Sequence, residues 1–247
     1  MEIPAGRIRL TASPRTDTTV EIRGLNKSGE EYAESISVQH SGDTISILGP
    51  RQSLMRSPSV EVLVALPAGS HPTVKTASAD ISLHGPFDVA RLHTASGDIH
   101  FDRLGATRIK TASGDVAGDV IEGDADITTA SGDVRIASIT GDAKIDTASG
   151  EYTLRHVAGD ITAKSASGDL DFTNVQGRSL NARTASGDVT VGIPDGTAAW
   201  LDVSSISGRV SSRLENSPAP ADGDPTVEVG VRTISGSITI VRAGATR

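Results

Sequence analysis

Residues 111–150 read TASGDVAGDVIEGDADITTASGDVRIASITGDAKIDTASG, with glycine at 114, 123, 132, 141 and 150. The same nine-residue step runs outward to Gly105, Gly159, Gly168 and Gly177. Spacing so regular means that one short structural unit is copied along the chain. The glycines alternate in kind. Gly114, Gly132, Gly150 and Gly168 follow Thr-Ala-Ser or Ser-Ala-Ser and precede Asp or Glu, whereas Gly123, Gly141 and Gly159 sit in a plainer Gly-Asp step. The repeat is therefore about 18 residues, built from two nonapeptide halves. It recurs from Thr76, Thr94, Thr111, Thr129, Thr147, Ser165 and Thr184, with degenerate copies at Ser205 and Thr233.

Counted from each Ser-Gly-Asp glycine, apolar residues fall at +2, +4 and +7: Ile99, Phe101 and Leu104; Val134, Ile136 and Ile139; Tyr152, Leu154 and Val157; Leu170, Phe172 and Val175. Steps of two mark a strand with one buried face, and the step of three marks a bend. The other half-repeat points smaller residues inward, as in Ala125, Ile127 and Thr129, or Ala143, Ile145 and Thr147. One extra residue enters before Leu180, and a turn at 177–179 is expected to absorb it, since a slip within a strand would flip every side chain. The fold class is thus all-β: a parallel β-solenoid with two short strands per coil. About nine coils stacked some 4.8 Å apart give a rod on the order of 40 Å long. Glycine is expected to serve a turn with positive φ. Asp after Gly, and Ser before it, are expected to cap amides of their own turn. A left-handed hexapeptide helix fails, because positions 127, 133, 139, 145 and 151 read Ile, Asp, Ile, Ile, Glu. A calcium-binding nonapeptide roll fails too, for want of its Gly-Gly-x-Gly-x-Asp pattern.

Six aromatic residues in 247, Phe87, Phe101, Phe172, Tyr32, Tyr152 and Trp200, fit a narrow aliphatic interior. Without cysteine there is no disulfide, thiolate metal site or thiol nucleophile. A net charge of −8 argues against nucleic acid as partner. No stretch reads as a transmembrane segment: the most apolar run, 60–66, is far too short. The opening Met1-Glu2-Ile3-Pro4-Ala5-Gly6-Arg7 shows no signal-peptide pattern. A cytoplasmic location is the resulting expectation, which an upstream leader would change to an extracytoplasmic one.

Residues 1–70 alternate as strands at 7–11, 18–23, 35–39, 44–48 and 59–66 but show no repeat, and are expected to form an N-terminal β cap against endless stacking. The solenoid then spans 71–242. Residues 212–226 read as a mobile excursion, 227–231 and 237–241 as the last strands, and 243–247 as a tail.

Stacking puts equivalent residues in columns. Asp98, Asp115, Asp133, Glu151, Asp169 and Asp188 share one edge; Asp124, Asp142 and Asp160 share the other. They read as structural turn caps rather than a calcium site, because the glycines and further oxygen ligands of a calcium roll are missing. A uniform column also singles out no catalytic pair. Histidines 40, 71, 84, 93, 100 and 156 have no metal-ligand spacing, and no nucleophile elbow, phosphate loop or dinucleotide motif is present. The expectation is a chain with no catalytic residues, metal or cofactor. The outward face of the small-residue strands reads Arg91 and His93, Arg108 and Lys110, Asp126 and Thr128, Lys144 and Asp146, Thr162 and Lys164, Asn181 and Arg183. Its cations, Arg91, Arg108, Lys110, Lys144, Lys164 and Arg183, form the candidate binding face, for an acidic protein surface, an anionic glycan or a lipid headgroup. The plainer reading is that they offset the Asp columns and discourage edge pairing. No aromatic interleaves them, so base stacking on single-stranded nucleic acid is not expected.

The Thr-Ala-Ser-Gly-Asp-Val ladder resembles the bacterial DUF4097 family, also called toastrack domains and labelled adhesins by analogy. So do Leu66-Pro67-Ala68-Gly69-Ser70, Val191-Gly192-Ile193-Pro194-Asp195-Gly196-Thr197-Ala198-Ala199 and Arg232-Thr233-Ile234-Ser235-Gly236-Ser237-Ile238. The resemblance implies a β-solenoid with no known catalytic set to carry over, and a docking or sensing role of the kind found in bacterial envelope-stress signalling. The functional expectation is a non-enzymatic scaffold or binding module. A secreted adhesin and a polysaccharide-active β-helix enzyme stand as alternatives.

Overall fold

The computed structural model describes residues 1–50, 58–214 and 223–244. Most of the expected excursion, 215–222, and the end of the expected tail, 245–247, lie outside the described residues.

Two parallel sheets face each other across a narrow core. The front sheet carries the larger side chains and stacks Ile99–Leu104, Val116–Ile121, Val134–Ile139, Tyr152–Val157, Leu170–Phe172 and Val189–Ile193. The back sheet stacks Ala90–His93, Thr107–Thr111, Ala125–Thr129, Ala143–Thr147, Ile161–Ser167 and Ser179–Ser186. Thr73–Phe87 crosses a corner and supplies both strands of its coil. Each strand pairs with its own copy one repeat away, as in Val116↔Val134↔Tyr152 and Ala125↔Ala143↔Ile161. The apolar residues named at +2, +4 and +7 are all buried, and columns of isoleucine, leucine and valine close the interior. Each such side chain contributes about 1.5–3 kcal/mol by leaving water. Gly118 stands at a +4 position because the ring of Phe101, its partner one rung away, fills the space a side chain would need. The extra residue near Gly177 is absorbed in the turn: Gly177 stacks on Gly159, and the strands regain register at Ile161↔Leu180.

The glycine columns have a different cause from the one expected. Among the glycines that follow a turn serine, Gly150, Gly168, Gly187 and Gly236 have positive φ, whereas Gly97, Gly114 and Gly132 do not. Proximity is what unites them. A β-carbon on Gly114 would fall on the Gly97 carbonyl oxygen, one on Gly132 on that of Gly114, and so on through Gly150, Gly168, Gly187, Gly236 and Gly208. Gly141, Gly159 and Gly177 repeat this collision with the turn one rung away on the other edge. The coils stack this closely only where the turns have no side chain.

Both ends depart from sequence order. Glu2–Ser13 belongs to the ladder: it lies between Val60–Pro67 and Thr73–Phe87, with Ile3↔Thr76 and Ile8↔Ile81. Pro4-Ala5-Gly6 takes its corner, with Gly6 at φ +123°, so the coil carries no Thr-Ala-Ser signature. The cap proper is smaller than 1–70. Thr19–Gly24 runs antiparallel to Val60–Pro67, helix Lys27–Glu34 packs against Thr19–Gly24, and hairpin Ser37–Ser41/Thr44–Leu48 touches the ladder at Glu2↔Leu48. The helix lies between the expected strands 18–23 and 35–39, in a stretch the alternation left without an element. Asn26 is in fact its N-cap, accepting the Gly29 amide at 2.6 Å. At the other end, Thr226–Ser235 and Ile238–Arg242 are last in sequence but not in space. They slot between the coil 179–193 and the coil 198–212, which forms the outermost rung.

Candidate functional site

The carboxylate edges come first, because they fix what the solenoid can offer a ligand. Each Asp accepts an amide of the next coil, not of its own turn as expected. Oδ1 of Asp98 takes the Asp115 N–H at 2.9 Å, Asp115 that of Asp133 at 2.9 Å, and Asp133 that of Glu151 at 3.0 Å. Asp169 takes Asp188 at 2.8 Å, and Asp188 takes Ser237 at 2.7 Å. On the opposite edge Asp124 takes Asp142 at 3.0 Å and Asp142 takes Asp160 at 2.8 Å. Asp160 takes both Arg178 and Ser179, at 3.0 and 2.9 Å, which is how the inserted residue is tied down. The stacking axis aims each carboxylate at the turn amide one rung on, which the sheet ladder leaves unused. The Glu151 amide, followed by Arg135, holds the Asp133 carboxyl below the ordinary aspartate range.

The turn's own cap is the buried threonine of Thr-Ala-Ser. Thr94, Thr111 and Thr129 accept the amides of Gly97, Gly114 and Gly132 at 2.9, 2.9 and 3.1 Å. From Thr147 onward the turn changes. Thr147 and Thr184 donate to the carbonyls of Ser149 and Ser186, and the amides of Gly150, Gly168 and Gly187 bond the neighbouring coil. The change coincides with Tyr152, a fully buried ring beside Thr147 whose hydroxyl has no hydrogen-bond partner among the described residues and whose pKa burial drives up.

The candidate face is the outer side of the back sheet, and the register draws it as two columns. Arg91, Arg108, Asp126, Lys144, Thr162 and Asn181 form one; His93, Lys110, Thr128, Asp146, Lys164 and Arg183 form the other. Two cations are spent internally: Arg108 pairs with Asp126 at 3.0 Å and Lys144 with Asp146 at 3.7 Å. Arg91, Lys110, Lys164 and Arg183 are exposed and have no ion-pair partner among the described residues. The second column is longer than expected. Lys75 stacks on His93 and Arg232 on Arg183, and these pair with Glu2 at 3.6 Å and Asp202 at 2.8 Å. From Lys75 to Arg183 every member of this column directly precedes the Thr or Ser of a Thr-Ala-Ser or Ser-Ala-Ser turn, and Arg232 precedes the degenerate Thr233-Ile234-Ser235, so the sequence carried the signal. Beside the first column runs a groove of about 460 Å³ whose lining includes Arg91, Arg108 and Lys144 together with Asp124, Asp142 and Asp160.

The histidines are dispersed. His71 contacts Asp88 at 3.0 Å, His84 contacts Asp102 at 3.4 Å, and His156 contacts Asn174 at 3.1 Å. Among the described residues no group of three or more His, Asp or Glu is placed to hold a metal ion, and no helix is long and apolar enough to cross a membrane.

A family model described as toastrack DUF4097 matches residues 4–241. The chain belongs to the toastrack DUF4097 family. That span takes in every coil of this toastrack, including the first strand and the inserted last coil. No curated protein matches the chain. Among solved structures, similarity is found to one described as a candidate cell adhesion protein from Clostridium sporogenes ATCC 15579. Its identity is 10%, with 98% of this chain and 90% of that chain covered and a TM-score of 0.22.

Proposed function

We propose that this toastrack is a non-enzymatic binding module whose back-sheet face takes an anionic partner. The observation that carries the reading is the set Arg91, Lys110, Lys164 and Arg183: four exposed cations, without an ion-pair partner among the described residues, in two adjacent columns on one face of a chain whose net charge is −8. Strand pairing fixes their spacing, so a ligand meets a preset array. The carboxylate edges support a binder rather than a catalyst, since one oxygen of nearly every Asp is already held by a turn amide. A docking role of the kind the family resemblance implies needs only such a face.

Each exposed charge contributes little alone and is screened by salt, so the cations have to be tested together. The variant Arg91→Gln/Lys110→Gln/Lys164→Gln/Arg183→Gln keeps side-chain bulk and removes four charges. Three immobilised probes, polyglutamate, a polyuronate and phosphatidylglycerol vesicles, distinguish the classes of partner. The native chain should bind at least one of them with an affinity that falls steeply as salt rises. The variant should fold as before and lose most of that binding. Equal retention of native and variant protein on all three probes would sink the reading.

A further inference from the structure

The end of the rod at Ala198–Ser205 and Val210–Ser212 has the features of an unfinished stack. Ala198 and Ile206 donate inward, to the carbonyls of Pro225 and Thr233 at 2.9 and 3.3 Å. Alternation along a parallel strand therefore turns the amides and carbonyls of residues 199, 201, 203 and 205 toward the outer edge. The apolar residues of this coil keep core register, with Leu201↔Val229, Val203↔Val231 and Val210↔Ile238. Val229, Val231 and Ile238 are fully buried one rung in, yet Leu201 is 38% and Val210 43% exposed. Trp200, at 69% exposure, lies on the same outermost strand. An open strand edge beside exposed apolar core positions is a template for further pairing.

We infer that this end is the interface of a two-fold dimer and that its occupant is a second copy of the same end. The end presents two strands, one from each sheet, with an apolar slot between them. Another solenoid end with the same sheet separation covers both strands at once. The opposite end of a second copy does not qualify, because Thr19–Gly24 lies antiparallel over the ladder there and helix Lys27–Glu34 packs outside it. Head-to-tail growth is thereby blocked, and the pairing closes as a dimer rather than a fibre.

Charge selects between the two ways of joining the ends. Asp202 lies on the outer face of the back strand, where it pairs with Arg232 of its own chain at 2.8 Å, and Arg209 and Arg213 flank the front strand with no ion-pair partner among the described residues. Laying back strand over back strand sets Asp202 against its own copy and arginine against arginine. The crossed arrangement lays Ala198–Ser205 of one copy antiparallel over Val210–Ser212 of the other. It brings each Asp202 to the side of the partner's arginines and continues Leu201 and Val203 over the partner's Val210.

Sedimentation velocity on the full chain over a range of concentrations tests this. The native protein should sediment with the mass of two chains at tens of micromolar. Leu201→Lys/Val210→Lys, which puts charges into the slot, should be monomeric with an unchanged circular dichroism spectrum. Arg209→Glu/Arg213→Glu changes only exposed side chains, and should weaken the dimer at least tenfold at low salt. A native monomer at every concentration, or a dimer that survives the lysine pair, overturns the proposal. A dimer tightened by the glutamate pair overturns the crossed arrangement. The dimer leaves the back-sheet cations exposed, so its failure and that of the anion-binding reading are separate results.

Discussion

Tyr152 shows what a single residue does inside a repeat. Its neighbours in the front-sheet column are Val134 and Leu170, and its ring fills the same slot with one polar atom too many. The hydroxyl is buried and has no hydrogen-bond partner among the described residues, and the Thr147 hydroxyl beside it is directed to the Ser149 carbonyl at 3.4 Å. An unsatisfied buried hydroxyl costs about 1–3 kcal/mol. Tyr152→Phe should therefore stabilise the fold by roughly 1 kcal/mol, an increase of about 2–4 °C in melting temperature for a chain of this size. Calorimetry on the two proteins decides it. A lower melting temperature for the phenylalanine variant would mean that the hydroxyl has a partner, such as a buried water shared with the Ser165 hydroxyl, which is also unpartnered.

At the scale of one turn or strand, the two reasons for glycine separate cleanly. Gly132 lacks positive φ, but a β-carbon there meets the Gly114 carbonyl, backbone that no rotamer change can move. Gly42 has φ +56° in the hairpin turn with open space around it. Gly132→Ala should cost on the order of 3 kcal/mol or more, because the coils must part. Gly42→Ala should cost about 1–2 kcal/mol, the ordinary penalty of the left-handed region. Urea titration of both variants would show the contrast, and equal losses would refute the stacking explanation. The nine-residue glycine step was legible as repetition, and the alternation at Ile136, Leu154 and Phe172 as an inward face, because both are local patterns. The direction of the aspartate bonds was not, since an Asp after Gly looks the same whether it caps its own turn or the next one. The face of cations was legible from Arg91 to Arg183 by alternation alone. Lys75 and Arg232 escaped because the first stood at the edge of the cap region and the second beyond the excursion, where counting from one glycine to the next breaks down. The place of Glu2–Ser13 was hidden for a related reason: Pro4-Ala5-Gly6 makes its corner without the repeat's signature.

The whole rod is shaped by what happens at its two ends. At both ends an inner rung is covered by strands from elsewhere in the sequence: Glu2–Ser13 lies under Val60–Pro67, itself flanked by Thr19–Gly24, and Thr226–Ser235 lies under Ala198–Ser205. A strand on the outermost rung is held along one edge only, whereas a covered strand is bonded on both sides. In a stack where each coil touches only its neighbours, opening starts from the outside. Protection against hydrogen exchange should therefore follow position in the stack and not position in the sequence. In the Leu201→Lys/Val210→Lys protein, where dimer contacts cannot mask the end, amides of residues 199–205 should exchange first. Those of 227–233 should exchange far more slowly although they lie closer to the chain terminus, and those of 125–163 slowest of all. Mass spectrometry of peptic fragments reads the three regions separately. Faster exchange at 227–233 than at 199–205 would mean that the last coil sits outside, which would undo both the inserted rung and the end surface argued from it.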